Sequence, residues 1–451
     1  MKKKMTLKDT IIAGSAVVGL SAILALSIGN SALANTAVNS DSSAVTTVTT
    51  STNSSTGTAS TTGSTSSAGT ISSGSSLVSS DTAENAYTAS TVSTGGILDG
   101  SSLFTDRDLS QTYETSGAVT VNVSDDQAIT ISEEGTYILT GTAQNAAIYV
   151  NAGDEDKVQL VLSGLNVTND NFPVIYVLNA DKVFITSVGE NTLEVSGSFV
   201  ADGDTNTDGV IFAKDDIVFN GTGSLTIIST DNGIVGKDDV KFTGGSYYIT
   251  ASSKAVEAND SIRIADGTFY LVAGTDGLHA ENEDDDSLGY IYVSGGSITI
   301  KAGDDAVHAN SVLQIDGGEI TIEKAAEGLE ATYVQMNAGT VTISATDDGV
   351  NAANKSSAYS ATFEMNGGEL NINMASGDTD GVDSNGNIIV NGGTINVTGT
   401  STFDYDGQAQ FNGGTIIVNG TEVDTIPNQF MGGGMGGQMG GSMGGMAGGR
   451  R

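Results

Sequence analysis

From about residue 209 to residue 400, apolar and polar positions alternate in runs of three to five residues. Gly, Asn or Asp breaks each run, and no 3.6-residue period appears. One phrase, apolar–x–apolar–polar–x–Gly–x–apolar–x–apolar, recurs as "VKFTGGSYYI", "IRIADGTFYL", "IYVSGGSITI", "LQIDGGEITI", "VQMNAGTVTI", "FEMNGGELNI" and "IIVNGGTINV". A second, acid–small–apolar–polar–small, recurs as "TDGLHA", "DDAVHA", "AEGLEA", "TDDGVNA" and "TDGVDS". Aligning its small residue gives Gly209, Gly233, Ala255, Gly277, Ala306, Gly328, Gly349 and Gly381, at steps of 24, 22, 22, 29, 22, 21 and 32 residues. The long steps hold insertions around Glu281–Ser287 and Asn354–Ser360.

Repeats of this length indicate a solenoid or a propeller, and a propeller blade needs about 40 residues for its four strands. Three short strands joined by tight corners instead predict an all-β, single-stranded parallel β-helix with three sheets and about 22 residues per coil. The crossover rule makes it right-handed. Coils would stack about 4.8 Å apart, turning equivalent letters into columns. Val256, Leu278, Val307, Leu329, Val350 and Val382 form one inward column; Ile264, Val293, Ile315, Met336, Met365 and Val390 form another. Gly296, Gly318 and Gly393 fall at corners. The stretch from Leu98 to about Ser196 alternates less regularly and is expected to form the first, broader coils.

The flanks read differently. Lys2, Lys3 and Lys4, an apolar run from Ile11 to Ile28, and Ala32-Leu33-Ala34 predict a signal peptide over residues 1–34. Residues 35–98 are Ser/Thr-rich and cannot bury a core, so they are expected to be a disordered linker. The repeat domain is assigned to 99–420, and 421–451 to a Met/Gly-rich disordered tail. The chain has 451 residues and no Cys, so an exported product would hold together without disulfides. Its formal charge of −37 becomes −40 once four Lys and Asp9 leave with residues 1–34. Such a surface repels nucleic acid and anionic lipid, and it meets an acidic polymer only through bridging cations.

"FTDRDL" (104–109), "DKVQLVLSGLNVTN" (156–169), "KDDIVFNGTGSLTI" (214–227), "NGIVGKDDVKFTGG" (232–245) and "DGLHAENEDDDSLGYIYVSGG" (276–296) together resemble one family. It is the secreted bacterial carbohydrate-binding β-helix family whose fold is similar to polysaccharide lyases. The resemblance spans roughly Phe104 to Gly420. It implies a right-handed parallel β-helix that binds calcium and binds cellulose or acidic, pectin-like sugars without cleaving them. Relatives often carry Lys in the phrase Asp-Gly-Ile-Lys. Here that position holds Glu257, His279, His308, Glu330, Asn351 and Asp383.

The candidate chemistry lies in the acids. Asp208, Asp276, Asp305, Glu327, Asp348 and Asp380 precede the small residue, with Asn232 and Lys254 in the same column. Neighbouring carboxylates about 5 Å apart repel by roughly 1 kcal/mol in water and about 3 kcal/mol at an effective dielectric of 20. Calcium, which accepts six to eight oxygens, would relieve that repulsion; the alternative is that each Asp or Asn caps a corner. The expected metal ligands are the loop cluster Asp276, Glu281, Asp284, Asp285 and Asp286, together with Asp305, Asp348 and Asp380. Sugar contacts are expected from Tyr248, Tyr270, Lys254, Glu257, His279 and His308, with the two His forming an outward, exposed pair. Lys254 is expected to be a fixed counter-ion.

These readings describe an exported, monomeric, non-catalytic polysaccharide-binding protein, extracellular or held at the cell surface. The alternative is a calcium-dependent pectate lyase. A third reading, a flat Thr face at Thr299, Thr321 and Thr342, breaks at Asn371 and Asn396.

Overall fold

The computed structural model describes residues 45–48, 96–377 and 379–429. The expected signal peptide, nearly all of the linker and the Met/Gly-rich residues from 430 onward lie outside the described residues. Among the described residues the chain is all-β, with one 3-10 turn at Gly100–Ser102 and no helix long and apolar enough to cross a membrane.

Each repeat places its strands beside their counterparts one repeat away, in parallel. Val256–Ala258 pairs with Leu278–Ala280, which pairs with Val307–Ala309. These strands belong to a 13-stranded sheet, and the remaining strands make a 22-stranded one. The expectation of three separate sheets is corrected here. Asp239–Ala251 and Ser261–Ala273 run unbroken through a corner, with a register shift between Thr243 and Ser246. The second and third strand columns are therefore hydrogen-bonded into one bent sheet.

Both inward columns form as aligned. Val256, Leu278, Val307, Leu329, Val350 and Val382 are in register and buried. So are Ile264, Val293, Ile315, Met336, Met365 and Val390. Each such side chain contributes roughly 1.5–3 kcal/mol. Gly296 and Gly318 turn their corners at φ of +89° and +86°. One alignment fails by a residue. Ile211 pairs with Ile234, because both are inward and fully buried, and a one-residue slip would turn every side chain over. Asp208 therefore stands opposite Asp231, not Asn232.

The ends also differ from expectation. Residues 96–112 are not a coil. They form a strap on the outer side of the second strand column, and the first strand after it is Val119–Asn122. Val45–Val48, inside the segment expected to be a disordered linker, is instead a strand paired in parallel with Ala128–Ile131. The Ile97 and Leu98 N–H groups donate to the Gln335 and Gln314 side chains at 3.0 and 2.7 Å. Arg263 donates to the Leu103 carbonyl at 3.2 Å, and Gly221 N–H to Gln111 Oε1 at 2.8 Å. At the other end, Thr421–Val423 folds back antiparallel on Thr415–Val418. Ile426 is buried and Gln429 Oε1 accepts from Thr402 N–H at 2.7 Å, so ordered packing continues beyond residue 420.

The acid–small phrase keeps its small residue for a steric reason. A Cβ on Gly349 would lie 2.4 Å from the Gly381 carbonyl oxygen and 2.5 Å from Ile372 Cγ2. Gly349→Ala is expected to destabilise the fold by about 1–3 kcal/mol through overpacking, read as a lowered urea midpoint. A change below 0.5 kcal/mol would show that the next coil yields.

Candidate functional site

The outward face of the 13-stranded sheet lines up Val235, Glu257, His279, His308, Glu330, Asn351 and Asp383. Three residues earlier in each strand phrase lies the acid line, where Asp348 pairs with Asp380. Its members cap one another: Lys254 N–H donates to Asn232 Oδ1 at 3.0 Å, Asp305 N–H to Asp276 Oδ1 at 3.2 Å, and Asp380 N–H to Asp348 Oδ1 at 3.3 Å. The corner-capping reading is realised at those three steps.

The first half of the face is charge-compensated. Lys237 Nζ and Lys254 Nζ each lie 3.4 Å from the Glu257 carboxylate. Burial pushes the Glu257 carboxyl up, but these two lysines outweigh it and hold it below the usual range. His279 Nδ1 lies 2.9 Å from Asp276 and its Nε2 3.3 Å from Glu281. His308 Nδ1 lies 2.9 Å from Asp305 and 2.6 Å from Glu330, whose other oxygen meets Lys355 Nζ at 2.9 Å. The imidazoles stack with centroids 4.5 Å apart. The expected exposed pair is thus corrected: His279 and His308 are 7% and 8% exposed, enclosed by acids from their own and neighbouring repeats. Burial disfavours the His308 cation, yet the Asp305 and Glu330 hydrogen bonds win and lift its pKa to about 9. Burial likewise raises the Glu330 carboxyl, and His308 and Lys355 reverse this and hold it down. Asp305, His308 and Glu330 are close enough to share a metal ion. A protonated Nδ1–H between two carboxylates, with an ammonium alongside, accounts for the same geometry.

The second half lacks that compensation. Burial first, and then Glu330, Asp305 and Asp348, push Glu327 up to about 8 despite a hydrogen bond from Asn351. Burial together with Asp383, Asp347 and Asp380 lifts Asp348 to about 7, and burial with Asp404, Asp380 and Asp406 lifts Asp383 to about 6. Asn351 Nδ2 donates to Glu327 and Glu330 at 2.9 and 3.3 Å, leaving its buried Oδ1 without a hydrogen-bond partner.

The expected loop cluster does not assemble as a ligand set. Asp276 is turned to His279, and Glu281 meets the same imidazole from the other side. Asp285 accepts from Ser287 in a local turn, while the Asp286 carboxylate accepts from the Ser357 hydroxyl and its backbone carbonyl from the Ser356 hydroxyl of the other insertion. Hydrogen bonding inside and between the two insertions satisfies Asp285 and Asp286, and among the described residues the loop gives no close metal-binding trio. Asp284 joins Glu281 at the rim of a cavity of about 370 Å³, also lined by Lys237, Lys254, Glu257 and His279. Three expected sugar contacts therefore converge there, and His308 stacks directly behind. Tyr248 and Tyr270 do not join them. They pair on the 22-stranded sheet, 47% and 38% exposed, with Lys301 Nζ 3.0 Å from the Tyr270 hydroxyl.

Sequence reasoning missed Lys237, Lys355 and the unsatisfied Asn351. Lys237 follows its strand at the position Asn259 and Glu281 occupy in later repeats, so column alignment could have found it. Lys355 arrives from an insertion and carries no such signal.

A family model for carbohydrate-binding domain-containing proteins matches residues 125–381 and, again, 327–425. A carbohydrate-binding domain-containing protein of Acetivibrio thermocellus is 32% identical over 131 residues, 28% of this chain and 46% of that protein, so the match spans just under half of that relative. Among solved structures, the polysaccharide lyase-like protein from C. thermocellum, a gadolinium derivative, shares 27% identity. The match covers 49% of this chain and 92% of that one, with a TM-score of 0.43.

Proposed function

This chain belongs to the family of carbohydrate-binding domain-containing proteins, and on that premise we propose that it is an exported, non-catalytic binder of acidic, pectin-like polysaccharide, built as a right-handed parallel β-helix. The observation that supports this most is the cavity bounded by Lys237, Lys254, Glu257 and His279. Its ammonium, carboxylate and imidazole groups supply the donors and acceptors that sugar hydroxyls and carboxylates require. Lys254 and Lys237 both face Glu257, an arrangement suited to counter-ions rather than to a base that abstracts a sugar proton.

Calcium belongs to this reading at the uncompensated half of the face. Asp348, Asp380, Asp383 and Asn351 lie on two adjacent strands, with Glu327 just before the neighbouring one, and all offer hard oxygen donors of the type calcium accepts. An ion would have to draw them together, because the close trios among the described residues are Asp305–His308–Glu330 and Asp216–Asp238–Asp239. These residues would hold the ion, and it would neutralise their charge and bridge to uronate carboxylates.

Affinity electrophoresis of the full chain in polygalacturonate gels tests the reading. Retardation is expected in calcium. Lys254→Ala is expected to weaken it by about tenfold, and excess chelator to remove it. Retardation that survives chelation would end the bridging proposal. Unsaturated product released by the wild type and absent in Lys254→Ala would replace binding with lyase activity.

A further inference from the structure

The outward line that carries Glu257 and His279 is aromatic in earlier repeats. Tyr149 pairs with Tyr176, Tyr176 with Phe212, Phe212 with Val235 and Val235 with Glu257. Tyr149, Phe172 and Tyr176 cluster with ring centroids 5.8–6.0 Å apart. Beside them lies a second cavity of about 310 Å³, whose walls include Tyr149, Phe172, Asp126, Asn145, Asn169 and Asp170.

The polar wall is held in place. Asn145 Oδ1 accepts from Asp170 N–H at 3.0 Å, and its Nδ2 reaches the Asp170 carboxylate at 3.3 Å. Asn169 is 3% exposed, and its Nδ2 is anchored on the Ala146 and Phe172 carbonyls at 3.0 Å each. That anchoring fixes the amide and leaves Asn169 Oδ1 buried without a hydrogen-bond partner. A buried acceptor without a donor is costly, and native structures rarely keep one without a use. Asp126 and Asn145 also hold left-handed backbone, at φ of +56° and +54°.

An aromatic floor facing an amide and carboxylate wall suits a pyranose ring: its C–H face lies on the ring, and its hydroxyls meet the polar groups. Between the two cavities, Tyr176 and Phe212 are buried, and Lys214 Nζ and Lys237 Nζ sit 5.6 and 5.7 Å from their ring centres. The route joining the cavities therefore carries two ammonium groups beside the carboxylates of Asp202 and Glu257, which supplies local counter-charge on an otherwise acidic protein. It crosses five strand spacings from Tyr149 to His279, about 24 Å.

We propose that the Tyr149 cavity is a second sugar subsite, and that one acidic polysaccharide chain spans both cavities along the Lys214–Lys237 path. This rests on the carbohydrate-binding reading above. The chain contains no Trp, so Tyr149→Trp supplies a single fluorescent reporter. Its emission is expected to change saturably with oligogalacturonides, and affinity to rise about tenfold once the oligomer exceeds about 24 Å. Lys254→Ala should abolish that gain while leaving the response to short oligomers. In the polygalacturonate gel, Tyr149→Ala is expected to lose about tenfold in affinity and Tyr149→Phe to keep it. A Tyr149→Trp emission that stays fixed while the wild type is retarded would overturn the subsite and leave the first cavity's role intact. A wild type that is not retarded would remove both.

Discussion

Glu330→Ala is expected to destabilise the protein by about 3–5 kcal/mol, the cost of removing one partner from a buried ion pair. Glu330 is 3% exposed and serves two cations, His308 at 2.6 Å and Lys355 at 2.9 Å. Alanine leaves a buried imidazolium with Asp305 as its remaining acid, and Lys355, from an inserted loop, loses the contact that holds it. Urea unfolding followed by far-UV circular dichroism reads the effect. His308→Ala in the same background should recover part of the loss, since it removes the stranded charge. The double-mutant cycle should give a coupling of about 1–3 kcal/mol. A Glu330→Ala loss under 1 kcal/mol would mean that His308 is neutral when folded and that the network does not hold charge.

The second large effect is expected in the dependence of stability on pH and calcium. Glu327, Asp348 and Asp383 have pKa values of about 8, 7 and 6 when folded, against about 4 in an unfolded chain. The folded protein binds these protons more tightly, so ionising the groups costs stability. That cost is absent below about pH 4 and complete above about pH 8. His308 acts in the same sense. Its charge stabilises the fold below its unfolded value of about 6.5, and that contribution is lost as pH rises through about 9. Calcium-free protein is therefore expected to lose stability steadily from pH 5 to pH 9. Glu330 and Glu257, held low by their cations, and Asp276, held low against burial by its contacts with His279 and the Asp305 N–H, oppose this only on the acid side.

Calcium should act where the protons have left. At one hundred times its dissociation constant, a single ion adds about 2.7 kcal/mol, so the gain should be large at pH 8 and small at pH 5. Glu327→Gln and Asp348→Asn are expected to stabilise the metal-free protein at pH 8 and to reduce its response to calcium. Thermal melts with calcium and with chelator measure both. A calcium response that is equal at the two pH values, or unchanged in Asp348→Asn, would place the ion elsewhere.

Particular residues show how far the sequence could be read. Val256 through Val382 could be aligned by eye, because an inward position must be apolar in every repeat and the alternation repeats that demand. His279 and His308 could be paired in the same way, but their exposure could not. It depends on Asp276, Asp305, Glu281 and Glu330 closing around them, and two of these come from a loop or a neighbouring repeat. The loop acids misled for a related reason. Asp285 and Asp286 form a dense cluster in sequence, yet Ser287 and the Ser356–Ser357 loop, some seventy residues away from Asp286, already satisfy them. The strap at 96–112 gave no signal because it has no alternation of its own. Gln314, Gln335 and Arg263 side chains bind its backbone, and in their own repeats these residues look like ordinary outward polar positions.

By itself, the sequence determined that short parallel strands would stack in register, which columns would be buried, and that acids would gather on one face. Those properties follow from a period of two and a repeat of about 22, which are local and recur. Only the tertiary structure decided which acids meet a cation, where Tyr248 and Tyr270 stand relative to the lysines, and how the corners merge two strand columns into one sheet. Each of these is set by side chains from insertions, ends and neighbouring coils, whose distances spacing along the chain does not constrain.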